Sequence, residues 1–229
     1  MDAALLLLVD GRFPAGGHAY SAGVEAAVAI GDVVDAATLE RYLEGRLATT
    51  GTVDAAFAAA ACGAERGVDQ PGGHAERVDR LDTEYSARMP SPYLRTTSRR
   101  LGRQLLRAAQ PIWSTPWLDA VAATPDGPHQ PIALGAVVAA AGGDPGDAVA
   151  LSFHHLTAAV TSAAIRLLGL DPIALAALQA RVGARCDAAR ADAAGWATAG
   201  PATLPAAGGT LTEILGEQHG SLDARMFVA

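Results

Sequence analysis

Ser91-Pro92, Thr115-Pro116, Asp144-Pro145 and Asp171-Pro172 each set a short oxygen-bearing side chain directly before a proline at the head of an apolar-periodic segment. Such a pair writes a helix start. The oxygen accepts a backbone N–H left without a partner in the first turn. Proline has no N–H to leave over, and its fixed φ suits the first helical position. Gln130-Pro131 is a weaker version of the same signal, Asp35 caps a segment over 36–49, and Thr210-Leu211-Thr212-Glu213 fits a capping box. Gly31, Gly51, Gly67, Gly169 and Gly220 fall where helices should stop. Alternation at period two is absent over any useful length. The pattern predicts an all-α fold: a single domain of about ten packed helices, with a linker over 197–209 and a flexible C-terminal tail over 220–229.

Composition agrees. Hydrophobic residues are 50% of the 229, enough for a sizeable core, while aromatics are only 5%. The balance is filled largely by alanine, a strong helix former that allows close helix packing. Residues 151–168 place Phe153, Leu156, Val160, Ile165 and Leu168 at helical spacing, which predicts a central core helix. The next segment repeats the pattern with Ile173, Leu175, Leu178, Val182 and Cys186. The tight Gly169-Leu170-Asp171-Pro172 turn between them predicts a helical hairpin.

Charge excludes several functions. With 24 acids and 17 bases the formal charge is −7, and every base is arginine. A chain without lysine has no P-loop lysine, Schiff-base lysine or lysine general base. An acidic chain is also a poor non-specific binder of nucleic acid, and Trp113, Trp117 and Trp196 are not interleaved with bases as a stacking platform requires. Glu76, Arg80, Glu84 and Arg88 form an alternating stripe that reads as a solvated helix face. Arg95, Arg99, Arg103 and Arg107 recur every four residues with Arg100 beside them, and like charges at that spacing want acidic neighbours. Glu76, Asp79, Asp82 and Glu84 can supply them internally; the other reading is a docking face for an acidic partner.

The chemistry of a catalyst is missing. Cys62 and Cys186 are far apart and form no Cys-x-x-Cys pair, so neither a disulfide framework nor a zinc site is expected, and both thiols should be reduced and buried. His154-His155 are adjacent, and neighbours on a helix point about 100° apart, so one faces the core and the other the surface. Nucleophile-elbow, His-Glu-x-x-His, dinucleotide and Walker patterns are absent. Ser21 reads as a helix cap, not a nucleophile. The leucine-rich start lacks a basic leader, and no uninterrupted apolar run reaches the roughly 18 residues of a membrane span. The expectation is a cytoplasmic protein that is not an enzyme, binds no metal or cofactor of its own, and touches neither nucleic acid nor membrane.

One stretch is distinctive. Residues 5–26 hold a leucine run, Asp10, a Pro14-Ala15-Gly16-Gly17 turn and Ser21-Ala22-Gly23-Val24-Glu25. The order and spacing resemble the opening of the UreF family of urease accessory proteins, with Gly11 where that family usually has serine. Further segments are similar: Arg95-Thr96-Thr97-Ser98-Arg99-Arg100-Leu101-Gly102-Arg103-Gln104-Leu105-Leu106, His129-Gln130-Pro131-Ile132-Ala133-Leu134-Gly135, Ala163-Ala164-Ile165-Arg166-Leu167-Leu168, and the tail Arg225-Met226-Phe227-Val228-Ala229. The turn after Leu168 departs from the family pattern, as does Ala229. The resemblance implies an all-α homodimer that bridges the UreD (UreH) scaffold and the nickel-carrying GTPase UreG on apo-urease. Nickel would be handled by the complex and GTP bound by the partner. It implies a tail that binds UreD through Leu222, Arg225, Met226 and Phe227. A face for UreG is expected from Arg12, Phe13, His18, Glu25, Arg99 and Arg103. The alternatives are a small-molecule-binding helical domain using His18, Tyr20 and Glu25, or a generic dimeric adaptor.

Overall fold

The computed structural model describes residues 3–65, 73–221 and 225–227, apart from the side chain of His18. Among these residues there is no β-strand. The helices are α1 (Ala3–Val9), α2 (Val24–Ala29), α3 (Ala36–Arg46), α4 (Thr52–Ala64), α5 (Gly73–Ala87) and α6 (Pro92–Ala109). They continue with α7 (Pro116–Ala122), α8 (Gln130–Ala140), α9 (Pro145–Leu168), α10 (Pro172–Arg190), α11 (Ala193–Thr198) and α12 (Thr210–Gly220).

The proline-marked starts are where the sequence puts them. Ser91 and Thr115 accept from the N–H groups of Leu94 and Leu118. Asp144 forms a reciprocal box with Asp147, and Asp171 accepts from Ile173 and Ala174. Each such cap stabilises by about 1 kcal/mol. Asp35 also caps, in a box with Thr38. At α8 the cap position is His129, with no side-chain cap bond, and Pro131 lies one residue inside the helix.

Two expectations about helix ends fail. Gly51 does not stop a helix. Leu47–Gly51 is a π-helical turn that joins α3 to α4 without a break. A Cβ at Gly51 would press on the Arg46 carbonyl and on Leu156, so glycine is there for close packing, not for a left-handed angle. The capping box at 210–213 is also absent. Gly209 occupies the cap position, and Glu213 instead accepts the Ser91 N–H at 2.6 Å, from the start of α6. Gly67 lies outside the described residues.

α4 is the centre. Residues 55–62 of α4 are all buried, as befits a helix that is apolar all round. It packs most extensively on α8, then on α9 and α11. One side of α4 (Val53, Ala56, Phe57, Ala60 and Ala61) joins a cluster with α1, α5, α6, α7 and α8. Ala55 and Ala59 join a second cluster with α2, α3, α9 and α10. The α4–α8 contact is close because Gly135 faces the Ala58 carbonyl, where a side chain would collide. α9 is the core helix expected, with Phe153, Leu156 and Val160 buried; by length and composition it could cross a membrane, yet more than half of it is covered by its neighbours. On α10, Leu175, Leu178 and Val182 are buried, but Ile173 is 80% exposed, outside the apolar face assigned to it. It sits in the first turn of α10.

The 197–209 stretch holds the end of α11 and a 3-10 turn at Pro201–Thr203. Arg88 grips it, donating to the carbonyl oxygens of Pro201, Ala202, Leu204 and Pro205 while pairing with Glu84 at 2.6 Å. Arg88 therefore leaves the solvated stripe that its spacing suggested and turns inward.

Candidate functional site

The glycine-rich loop folds as a chain of tight turns between α1 and α2. Gly16 and Gly23 have φ of 82° and 86°, and Ala22 is also left-handed at 52°. A side chain at Gly16 would strike Gln104, and one at Gly23 would strike the Tyr42 hydroxyl. That hydroxyl donates to the Ala22 carbonyl at 2.7 Å, which holds the left-handed residue in place. Gly23, not Ser21, is the cap of α2; Ser21 is fully buried and its Oγ has no partner among the described residues. The cap reading of Ser21 is thus corrected. The loop's polar edge is exposed: Arg12 donates to Asp10 through Nε and Nη2 at 3.0 and 2.7 Å. Phe13 is half-buried. His18 has its backbone in the 3-10 turn Gly17–Ala19, and its side chain lies outside the described residues.

Beneath the loop lies a cavity of about 300 Å³. Tyr20, Arg46, Asp54, Tyr85 and Glu213 bring its polar groups, and Phe13, Leu101 and Leu105 bring apolar ones. Burial pushes the Asp54 carboxyl up to about 6, against the opposing pull of the Tyr85 hydroxyl, which donates at 2.6 Å, and of Arg46. Glu213 is likewise raised by burial. Arg46 is 6% exposed, and its Nε has no partner among the described residues. His155, lowered by burial, places Nε2 2.7 Å from the Leu8 carbonyl oxygen, and both His154 and His155 are half-buried on the cavity wall. No group of three or more metal-binding side chains forms among the described residues.

Glu25 is not in that cavity. Its side chain is buried from α2 against the C-terminal segment, where it meets His219 of α12. The His219 Nε2 is 2.7 Å from one Glu25 oxygen. The backbone N–H groups of Met226 and Phe227 donate to the same carboxylate at 2.6 and 3.1 Å. Burial pushes this carboxyl up, but those two N–H groups and His219 more than offset it and hold it below the ordinary range. The Phe227 ring is buried under the Arg166 guanidinium, 4.4 Å from its centroid. Arg225 and Met226 stay exposed, and Arg225 donates to the Tyr93 hydroxyl at 3.1 Å. Leu222 lies outside the described residues.

Arg95, Arg99 and Arg103 of the α6 stripe find partners within the chain. Arg99 makes a two-point pair with Asp82 at 3.0 and 2.6 Å and donates to the Gly127 carbonyl. Arg103 donates to the Asp126 carbonyl, and Arg95 to those of Met89 and Pro90. The acidic neighbour expected from α5 is Asp82. The other partners are loop carbonyls, which periodicity does not announce. Of the six residues assigned to a UreG-type face, the structure places Arg12 and Phe13 on the loop, Arg99 and Arg103 on α6, and Glu25 against the tail. Arg46 and Asp54 were not singled out from the sequence: each sits in an unremarkable helical stretch, and only the π-turn between them brings both onto one wall.

The described residues are helical, and their longest run of polar contacts joins the tail to α2, α6 and α12. Comparison with known proteins supplies the family. A sequence profile of the UreF family matches residues 33–183. The chain is 42% identical to the urease accessory protein UreF of Mycolicibacterium vanbaalenii over 193 residues, 84% of this chain and 85% of that one. It is 38% identical to UreF of Mycobacterium sp. strain JLS over 228 residues, covering 98% and 97% of the two chains. Against UreF of Mycobacterium tuberculosis H37Rv it is 33% identical over 228 residues, 99% and 98%. The chain belongs to the UreF family of urease accessory proteins.

Proposed function

We propose that this protein is a cytoplasmic urease maturation factor that works by contacts alone. As a homodimer it bridges the UreD (UreH) scaffold and the GTPase UreG, so that nickel enters apo-urease during GTP hydrolysis by UreG. Nickel is cargo of the complex, and the nucleotide belongs to UreG. The scaffold-binding element is the tail, with Leu222, Arg225, Met226 and Phe227. The observation that carries the reading is the C-terminal end of the molecule, where large apolar side chains stand in solvent: Leu211 and Ile214 on α12 at 50% and 51%, and Met226 at 53%. Such groups suit a protein interface better than a free terminus. Deleting residues 221–229 is expected to leave a folded protein that no longer co-purifies with UreD; retained capture excludes the assignment. Alanine at Arg12, Phe13, His18, Arg99 or Arg103 is expected to weaken UreG recruitment, and Arg99 and Arg103 need a stability control because they also hold loops.

A second reading, a small-molecule site, has one observation in its favour: the cavity under the loop, with the unpartnered Arg46 Nε on its wall. A discrete ligand carried through purification of the isolated chain would support it; an empty protein that still activates urease would exclude it.

A further inference from the structure

Residues of α2, α6, α12 and the tail are joined by one run of hydrogen bonds, though up to 202 positions separate them in sequence. Arg225 donates to the Tyr93 oxygen. The Tyr93 hydroxyl is 3.3 Å from His219 Nδ1, and His219 Nε2 is 2.7 Å from Glu25. The Glu25 carboxylate returns to the tail by accepting the N–H groups of Met226 and Phe227. A single direction satisfies the run: arginine to phenol oxygen, phenol O–H to Nδ1, Nε2–H to carboxylate. His219 is fully buried, and Phe227 closes the run against Arg166.

We propose that Glu25 is the receptor for the chain's own segment 225–227, an intramolecular docking site that uses Phe227 as its plug and leaves Arg225 and Met226 facing outward for a protein partner. This deepens the reading of the tail as a partner-binding element, and rests on it only for what the outward residues meet. Two backbone N–H groups aimed at one buried carboxylate, with an aromatic side chain seated beside them, form a small peptide site whose occupant the chain itself supplies. A tail already seated loses less freedom when a partner arrives. Within this scheme Phe227 acts by holding the tail, and Arg225 and Met226 are the residues offered to the scaffold.

The test is amide hydrogen exchange on the full chain. In the wild type the Met226 and Phe227 amides should be protected. In Glu25→Ala they should exchange at least tenfold faster, with α9 amides unchanged. Glu25→Gln, which keeps one acceptor oxygen, should fall between. Unprotected amides in the wild type overturn the proposal, as does protection unchanged in Glu25→Ala. Should Glu25→Ala lose α9 protection as well, the wild type alone decides. The amide proton shifts of Met226 and Phe227 must then follow the titration of the Glu25 carboxyl, and shifts that ignore it overturn the proposal. These outcomes do not depend on UreD. If the chain lacking 221–229 still captured the scaffold, the partner reading would fail while the docking site stood.

Discussion

Tyr85 donates its hydroxyl to Asp54 at 2.6 Å across the wall of the cavity beneath the glycine-rich loop, and among the described residues no arginine lies within ion-pair distance of that carboxyl. Burial has moved Asp54 up to about 6, so the folded chain holds this proton more tightly than the unfolded chain does. The sign of the pH effect follows. Between about pH 4 and 6 the folded state binds more protons, so stability falls as pH rises through that window. The loss is on the order of 2 kcal/mol after allowance for solvent at the cavity. Asp54→Asn keeps an acceptor for Tyr85 and removes the charge. Urea midpoints at pH 4.5 and 7.5 should show this variant gaining on the wild type at the higher pH.

Glu25 has the opposite sign. Its carboxyl lies below the ordinary value, so its contribution is complete above about pH 4.5 and fades as pH falls. The groups facing it are His219, the two tail N–H groups and, at the ends of the same cluster, Tyr93, Arg225 and Arg166. Glu25→Ala should cost about 1–3 kcal/mol at pH 7, since it leaves two tail N–H groups and His219 without their acceptor. The cost should shrink below pH 4, as thermal unfolding at the two pH values will show.

Arg88 is the clasp on 201–205. Arg88→Lys keeps the charge but cannot reach four carbonyls with a planar fork. Limited proteolysis should show faster cleavage within 199–209 in this variant, with a stability loss of about 1–3 kcal/mol.

Gly135 and Gly102 are the points where α8 and its leading turn come closest to α4 and α6. A methyl at Gly135 would meet the Ala58 carbonyl, and one at Gly102 the Pro128 carbonyl. Backbone cannot rotate away as a side chain can, so each Gly→Ala should destabilise by about 1–3 kcal/mol despite the better helix propensity of alanine. Chemical denaturation measures the difference.

The parts of this structure legible from sequence are those decided within a few residues. A cap and a proline settle a helix start locally, so Ser91, Thr115, Asp144 and Asp171 were readable. Gly51 was not: its role depends on Leu156 and on a π-turn, and a glycine in sequence looks the same whether it ends a helix or admits a neighbour. Thr210 failed for the same reason, because Glu213 found a better donor at Ser91. At the site, the motif ending in Glu25 was visible as a motif, but the reason for its carboxylate was not. Its partners come from the far end of the chain, and no periodicity links positions two hundred apart. Phe227 is reached from sequence through the resemblance of the tail, and the structure places its ring under Arg166.

The π-turn at 47–51 is a single residue of slack inside what is otherwise one long rod. Taking that residue out would restore regular winding and turn everything before it by about 100° relative to everything after it. Tyr42 and Arg46 would swing off the wall that Asp54 still faced, and the brace on Ala22 would go with them. Length in this rod is therefore counted to the residue: an insertion or deletion there acts as a change of aim, where the same edit in a surface loop would change only reach.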